Sequence, residues 1–414
     1  MTVESQLAPT SPEHTHLRLH ALDAIRTAAL LLGICLHTCL SFVPGIGPEL
    51  WPISDIHKST TLSVAMFVIH IFRMSVFFLV AGFLARALFQ SRGLSAFCRN
   101  RAARILVPLA LGWALCFVLI VGVVLWALAR ASGEHFPPSL PEAMVEAGPN
   151  FLHLWFLYLL LWLYAIAVAT RGALLALDQK GTVAALVDQG LHISVSSHTG
   201  PVALAVPVVL ALYLITDWVA WMGVPIPGYT LLPPPAPLFI YLYVFAIGWM
   251  FDRQRHLLRV LSDRWPVNFF LGLAATLVCL HLAGVEASFA VIQGQHDRLL
   301  YASAYGVALI YWTLAFVGAG VRYMSRESSV VRYVSDASYW MYIVHLPVVM
   351  ALQTAFMLAE LHWAIKFLLI IALSSAFLLI TYHYCVRPTW IGFLLNGRRR
   401  PREAAHMRLV DDAP

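Results

Sequence analysis

The first long apolar run of the chain, Leu22–Val43, carries three ionisable side chains: Asp23, Arg26 and His37. Charge and titratable groups are costly inside an apolar segment and mark functional candidates. Arg26 and His37 are 11 residues apart. At about 100° per residue that is close to three helical turns, so both project from one face, roughly 16 Å apart along the axis. A neutral imidazole beside a substrate hydroxyl can take its proton, and a guanidinium can hold an anion. A plainer role fits the same residues: a snorkelling arginine and a buried, hydrogen-bonded histidine.

A second cluster is Arg99-Asn100-Arg101-Ala102-Ala103-Arg104. Arg101 and Arg104 stand three apart and share a helix face, which suits a phosphate. Arginines next to a membrane span also serve topology alone. Further candidates are Arg73, His153 beside Trp155, and His345. Arg73 and His345 lie deep in apolar runs and need a polar partner or water. His153 and Trp155 also fit an interfacial anchor. His70 reads as structural, while Asp217, Glu286 and Lys366 fit either role. The six cysteines show no metal-type spacing and no disulfide framework, and read as packing residues. No metal site is expected.

The elements that must position these residues are transmembrane helices. Of 414 residues, 60% are hydrophobic and 12% charged, against about 25% charged in average soluble domains. Mean hydropathy is +0.77. Hydrocarbon satisfies no backbone hydrogen bonds, and the apolar runs are too long for barrel strands, so the fold class is all-α. About ten segments suit spans: Leu22–Val43, Leu62–Ala85, Ile105–Ala129, Leu152–Thr170, Val202–Trp221, Ala236–Phe251, Val267–Val285, Leu299–Val321, Ser338–Ala359 and Trp363–Tyr384. The sixth is short and starts in a Pro-rich stretch.

With the N-terminus inside, 21 of the 27 Lys and Arg fall in cytoplasmic segments and only Lys58, Arg130 and Arg298 fall outside. The positive-inside rule then holds at every loop and places both termini in the cytoplasm. The net charge of +6 reports topology, and cations dispersed over several loops do not suggest nucleic acid. The first 21 residues carry no cleavable signal. The chain divides into a cytoplasmic N-terminal segment (1–21), a transmembrane domain (22–386) and a cytoplasmic C-terminal tail (387–414). Asp188–Ser197 fits a short interfacial helix or a turn, and the chain past Pro401 reads as disordered.

These residues resemble membrane-bound acyltransferase family 3. Leu22-Asp23-Ala24-Ile25-Arg26 followed by His37 is similar to that family's opening, an Arg or Lys, ten residues and a His in the first span. Arg101-Ala-Ala-Arg104 resembles its Arg-x-x-Arg motif, and Phe77–Phe83 resembles its second-span signature with Ala81 where Ser is common. His153-Leu-Trp155-Phe156-Leu157 and Ser338–His345 resemble later blocks. The stretch from Arg387-Pro388 to Gly397 resembles the branch that succinylates periplasmic glucans. The resemblance runs from about Leu17 to Arg400.

It implies an inner-membrane O-acyltransferase with no tightly bound cofactor. The acyl group would come from cytoplasmic acyl-CoA, with succinyl-CoA and acetyl-CoA both open, and go to a hydroxyl of a periplasmic or lipid-linked carbohydrate. Arg101 and Arg104, with Arg99 less strongly, would hold the donor's phosphates. His37 would act as general base or acyl carrier, with Arg26 along the donor's path. Asp23 could pair with Arg26, and His153, Arg73 or His345 could face the oxyanion. The rival from another class is a transporter or flippase. It would favour broken helices and duplicated halves, which the sequence does not display.

Overall fold

The computed structural model describes residues 12–48, 50–133, 150–227 and 230–397. The start of the N-terminal segment, most of the Ala131–Phe151 loop and the chain past Gly397 lie outside the described residues. The described chain is helical: α1 Pro12–Cys39, α2 Thr60–Arg101, α3 Val107–Ser132, α4 Trp155–Leu177, α5 Thr182–Ser196, α6 Pro201–Tyr213, α7 Pro235–Arg253, α8 Leu257–Ala283, α9 Gln295–Tyr323, α10 Ser329–Phe356, α11 Trp363–Thr381 and α12 Trp390–Asn396. Helix α1 starts ten residues before the apolar run, so part of the N-terminal segment extends the first span.

Among the described residues, eight helices are long and apolar enough to cross a membrane, or nine if the bent pair α5–α6 forms one span. One of the eight is the 73-residue stretch Thr60–Ser132. At about 1.5 Å per residue it is some 110 Å long, room for the second and third expected spans across a core of about 30 Å. The helix is broken inside it by a kink at Gly93, whose φ of +74° is open to glycine at little cost, and a π turn at Ala102–Leu106 then leads into α3. The expectation of about ten spans is therefore close, and the protein is a multi-pass membrane helix bundle.

The fifth span differs from its expected bounds. Helix α6 stops at Tyr213 rather than Trp221 and meets α5 at 109°. Asp217 interrupts the apolar run, and Trp218 donates from Nε1 to the Gly223 carbonyl at 2.7 Å, folding residues 218–223 back on themselves. The doubtful segment before it is resolved as a 15-residue helix, α5. The sixth span, α7, is a regular 19-residue helix. Its prolines lie at and just before the first turn, where a missing N–H removes no intrahelical bond. Part of the expected tail also packs: Asn396 on α12 donates from Nδ2 to the Asp336 carbonyl at 2.9 Å.

Two tight helix crossings set the frame of the bundle. A Cβ at Gly82 would lie 2.0 Å from the Phe245 carbonyl oxygen and one at Gly248 1.8 Å from that of Leu79, so α2 and α7 touch backbone to backbone. Helices α8 and α9 form a long antiparallel pair. Two buried carboxylates are matched: Asp252 binds Arg86 at 2.7 Å and Arg255 at 2.6 Å, and Asp55 binds Lys366 on α11 at 2.8 Å. The second pair ties the loop between α1 and α2 down onto the bundle.

Candidate active site

A cavity of about 570 Å³ opens at the end of the bundle opposite the arginine-rich one. Its walls come from α1, α2, α3, α7, α10, the loop at Pro48–Pro52 and the turn before α4, and they are mostly apolar. Polar groups from separate parts of the chain meet there: His37, His70, Arg73, His153, Tyr241, Tyr342 and His345.

Three imidazoles form its centre. His37 sits in the last turn of α1, with its ring centroid 5.2 Å from that of His345 on α10. His345 lies 5.0 Å from His153, edge to face. Trp51 stacks on His37 at 5.8 Å with an interplanar angle of 19°.

The orientation of His153 traces to a proline. Pro347 lies inside α10 and has no N–H to offer the carbonyl four residues back, that of Ile343. This freed carbonyl takes a hydrogen bond from His153 Nε2 at 2.9 Å and from Cys116 Sγ at 3.0 Å. A carbonyl only accepts, so Nε2 carries the proton and a neutral His153 keeps its lone pair on Nδ1. By the same reasoning His345 donates from Nδ1 to the Tyr342 carbonyl at 2.8 Å and keeps its lone pair on Nε2. Among the described residues neither His153 Nδ1 nor His345 Nε2 has a hydrogen-bond partner, and nor does His37 Nδ1. Tyr342 also donates from its hydroxyl to the His153 carbonyl at 2.8 Å.

The turn that carries His153 is strained. Leu152 has φ +50°, the only positive φ at a non-glycine among the described residues. A left-handed non-glycine residue costs about 1–2 kcal/mol. Asn150 holds the turn, accepting the Leu152 N–H on Oδ1 at 2.8 Å while its own carbonyl accepts Trp113 Nε1 at 2.7 Å.

Arg73 is the cation of the cavity. Its Nη1 lies against α1 at Gly33, where a Cβ would come within 2.5 Å, one turn from His37 on the same face. Its Nε is buried without a partner, and no carboxylate among the described residues pairs with it. Asp55–Lys366 and Asp252 with its two arginines show how this fold otherwise treats buried charge. An unmatched guanidinium in an apolar cavity is a site for an anion.

The remaining sequence candidates stand elsewhere. Arg26 binds Ser335 Oγ at 3.2 Å and Asp23 at 3.3 Å, beside a second pocket of about 290 Å³ lined by His20, Asp23, Arg326, Arg332, Ser335 and Asp336. It does not line the histidine cavity. Arg101 lies over the rings of Phe97 and Tyr164, at 5.2 and 4.9 Å. Arg104 lies against Gly397, and its carbonyl accepts the Tyr339 hydroxyl at 2.5 Å. Arg101 precedes the π turn Ala102–Leu106 and Arg104 lies within it, and both lie near Tyr339. Arg99 is exposed. From Val107, where α3 begins, to Gly112, which packs on Ile343, the rise is about 8 Å. Among the described residues no group of three His, Cys, Asp or Glu has the geometry to hold a metal ion.

The family model of the acyltransferase domain matches residues 19–383. The chain belongs to the acyltransferase 3 family. This membrane acyltransferase is similar to Glucans biosynthesis protein C of Salmonella paratyphi B, Salmonella heidelberg and Salmonella agona, each 27% identical over 153 residues. The match covers 36% of this chain and 38% of each relative, so it spans well under half of their length. No solved structure matches the chain.

In this acyltransferase, His37, Arg73, His153 and His345 come together. Trp51, Tyr342, Cys116 and Pro347 join them without having stood out as candidates in the sequence. Pro347 had a readable signal, since a proline four residues after Ile343 within a span frees a carbonyl. The neutral residues had none.

Proposed function

We propose that this acyltransferase moves an acyl group, succinyl or acetyl, from cytoplasmic acyl-CoA to a hydroxyl of a periplasmic or lipid-linked glucan or related polysaccharide. It would do so in the inner membrane with both termini cytoplasmic. The observation that carries this reading is the meeting of three histidines, two with oriented free lone pairs, and one unmatched arginine in a single apolar cavity. The name of the similar Salmonella proteins supports a glucan acceptor.

In this reading His37 takes the proton of the acceptor hydroxyl as its oxygen attacks the thioester carbonyl. General base assistance of this kind contributes about 10²–10⁴-fold. The carbonyl oxygen becomes an oxyanion, and Arg73 takes its charge in surroundings with little water. Collapse of the tetrahedral intermediate breaks the carbon–sulfur bond. The thiolate leaves with the proton from His37, giving ester and free CoA. His345 and His153 accept hydrogen bonds from neighbouring hydroxyls of the acceptor. Arg101 and Arg104, with Arg99, hold the donor's phosphates at the arginine-rich end, and Arg26 with Asp23 lies along its path.

The test is transfer by purified protein in detergent, with succinyl-CoA or acetyl-CoA and a glucan acceptor. Released thiol and ester on the carbohydrate are measured together. Stoichiometric release of both supports the reading. No ester from either thioester, under conditions where the protein keeps its melting temperature, overturns it.

A further inference from the structure

We propose that Gln353 is a positioning residue that holds the His37 imidazole in its working orientation, a role that rests on His37 being the base. At Cys39 helix α1 tightens into a 3₁₀ turn, Leu40–Phe42, so the carbonyls of its last turn lose their regular i+4 donors. In an apolar interior such groups must be bonded by something else. Gln353, 1% exposed on α10, supplies the donors: its Nε2 reaches the His37 carbonyl at 2.9 Å and the Thr38 carbonyl at 3.1 Å. Its Oε1 accepts Trp51 Nε1 at 3.1 Å.

The orientation of the amide is fixed by its partners, because the two carbonyls only accept and the indole N–H only donates. One side chain thus joins the backbone of His37 to the indole that stacks on the His37 ring. Backbone, amide, indole and imidazole close a circuit, and rotation of the ring has to break it somewhere. Among the described residues no hydrogen bond to a ring nitrogen fixes His37 in the way carbonyls fix His153 and His345. The stacked indole is what defines its plane, and Gln353 is what holds the indole.

Selective ¹⁵N labelling of histidine tests this, with the His37 signals assigned by their loss in His37→Ala. Wild-type protein in detergent gives one set of His37 imidazole signals. Gln353→Leu shifts or doubles that set and leaves the His153 and His345 signals in place. Turnover falls about 10- to 100-fold, the cost of a displaced reacting group, while donor KM stays within about twofold. Trp51→Phe keeps an aromatic ring on His37 and deletes the indole N–H. It moves the same signals by less and decides the matter if Gln353→Leu does not fold. His37 signals that stay unchanged in the variants, with only a lower melting temperature, overturn the proposal. Shifted signals in a protein whose wild type transfers nothing would uphold the positioning of the ring and remove the base reading instead.

Discussion

Replacing Arg73 by Met should separate function from stability. The side chain fills a similar volume, loses its charge, and leaves behind no orphaned carboxylate, since none among the described residues pairs with Arg73. Breaking a matched buried pair costs about 3–5 kcal/mol because one charge is left uncompensated. Here that cost does not arise, and removing an unmatched guanidinium relieves its desolvation. The melting temperature should hold or rise. Turnover should fall about 10²–10³-fold, or ~2.7–4 kcal/mol, the usual loss for one donor to a developing oxyanion. Arg73→Lys should lie between the two, because the charge remains and the planar fork is lost. The assay is turnover at saturating donor and a melting curve on the same preparation. Full turnover in Arg73→Met refutes the reasoning, and so does a melting loss as large as that of a matched pair.

Three further outcomes follow from the same geometry. Lys366→Met removes the buried ion-pair partner of Asp55 in the loop carrying Trp51, leaving it the His57 N–H at 2.8 Å, and should destabilise the protein by about 3 kcal/mol in a detergent melting experiment. Pro347→Ala restores an N–H that competes with His153 for the Ile343 carbonyl; turnover should fall by about tenfold without a drop in melting temperature. Arg101→Ala/Arg104→Ala should raise donor KM more than it lowers saturated turnover. It should also abolish a thermal shift that, at about 100 times Kd, corresponds to roughly 2.7 kcal/mol in wild type.

The spans were legible because lipid leaves little freedom: a run of apolar residues with arginines beyond alternate ends allows little but a helix. The break at Gly93 and the α5–α6 bend were less legible, since both depend on local backbone and on neighbours. The ionisable residues of the cavity stood out for the same reason the spans did, being costly where they are. Their convergence did not, because His37, Arg73, His153 and His345 come from three helices and a turn far apart in sequence. His153 beside Trp155 fits an anchor until Ile343 is brought opposite it. The Arg26–His37 spacing put the two in line about three turns apart, and Arg26 binds Ser335 at a distance from the cavity that holds His37. Gln353 and Trp51 are neutral and carry no sequence-level mark of a role.

Acyl transfer to the carbohydrate hydroxyl should be measured for His37→Ala beside wild type, with membrane insertion and melting temperature checked for both. Transfer reduced by about 10²–10⁴-fold in a folded, inserted variant is the expected result. Wild-type turnover in His37→Ala would contradict a histidine-centred transfer in this cavity.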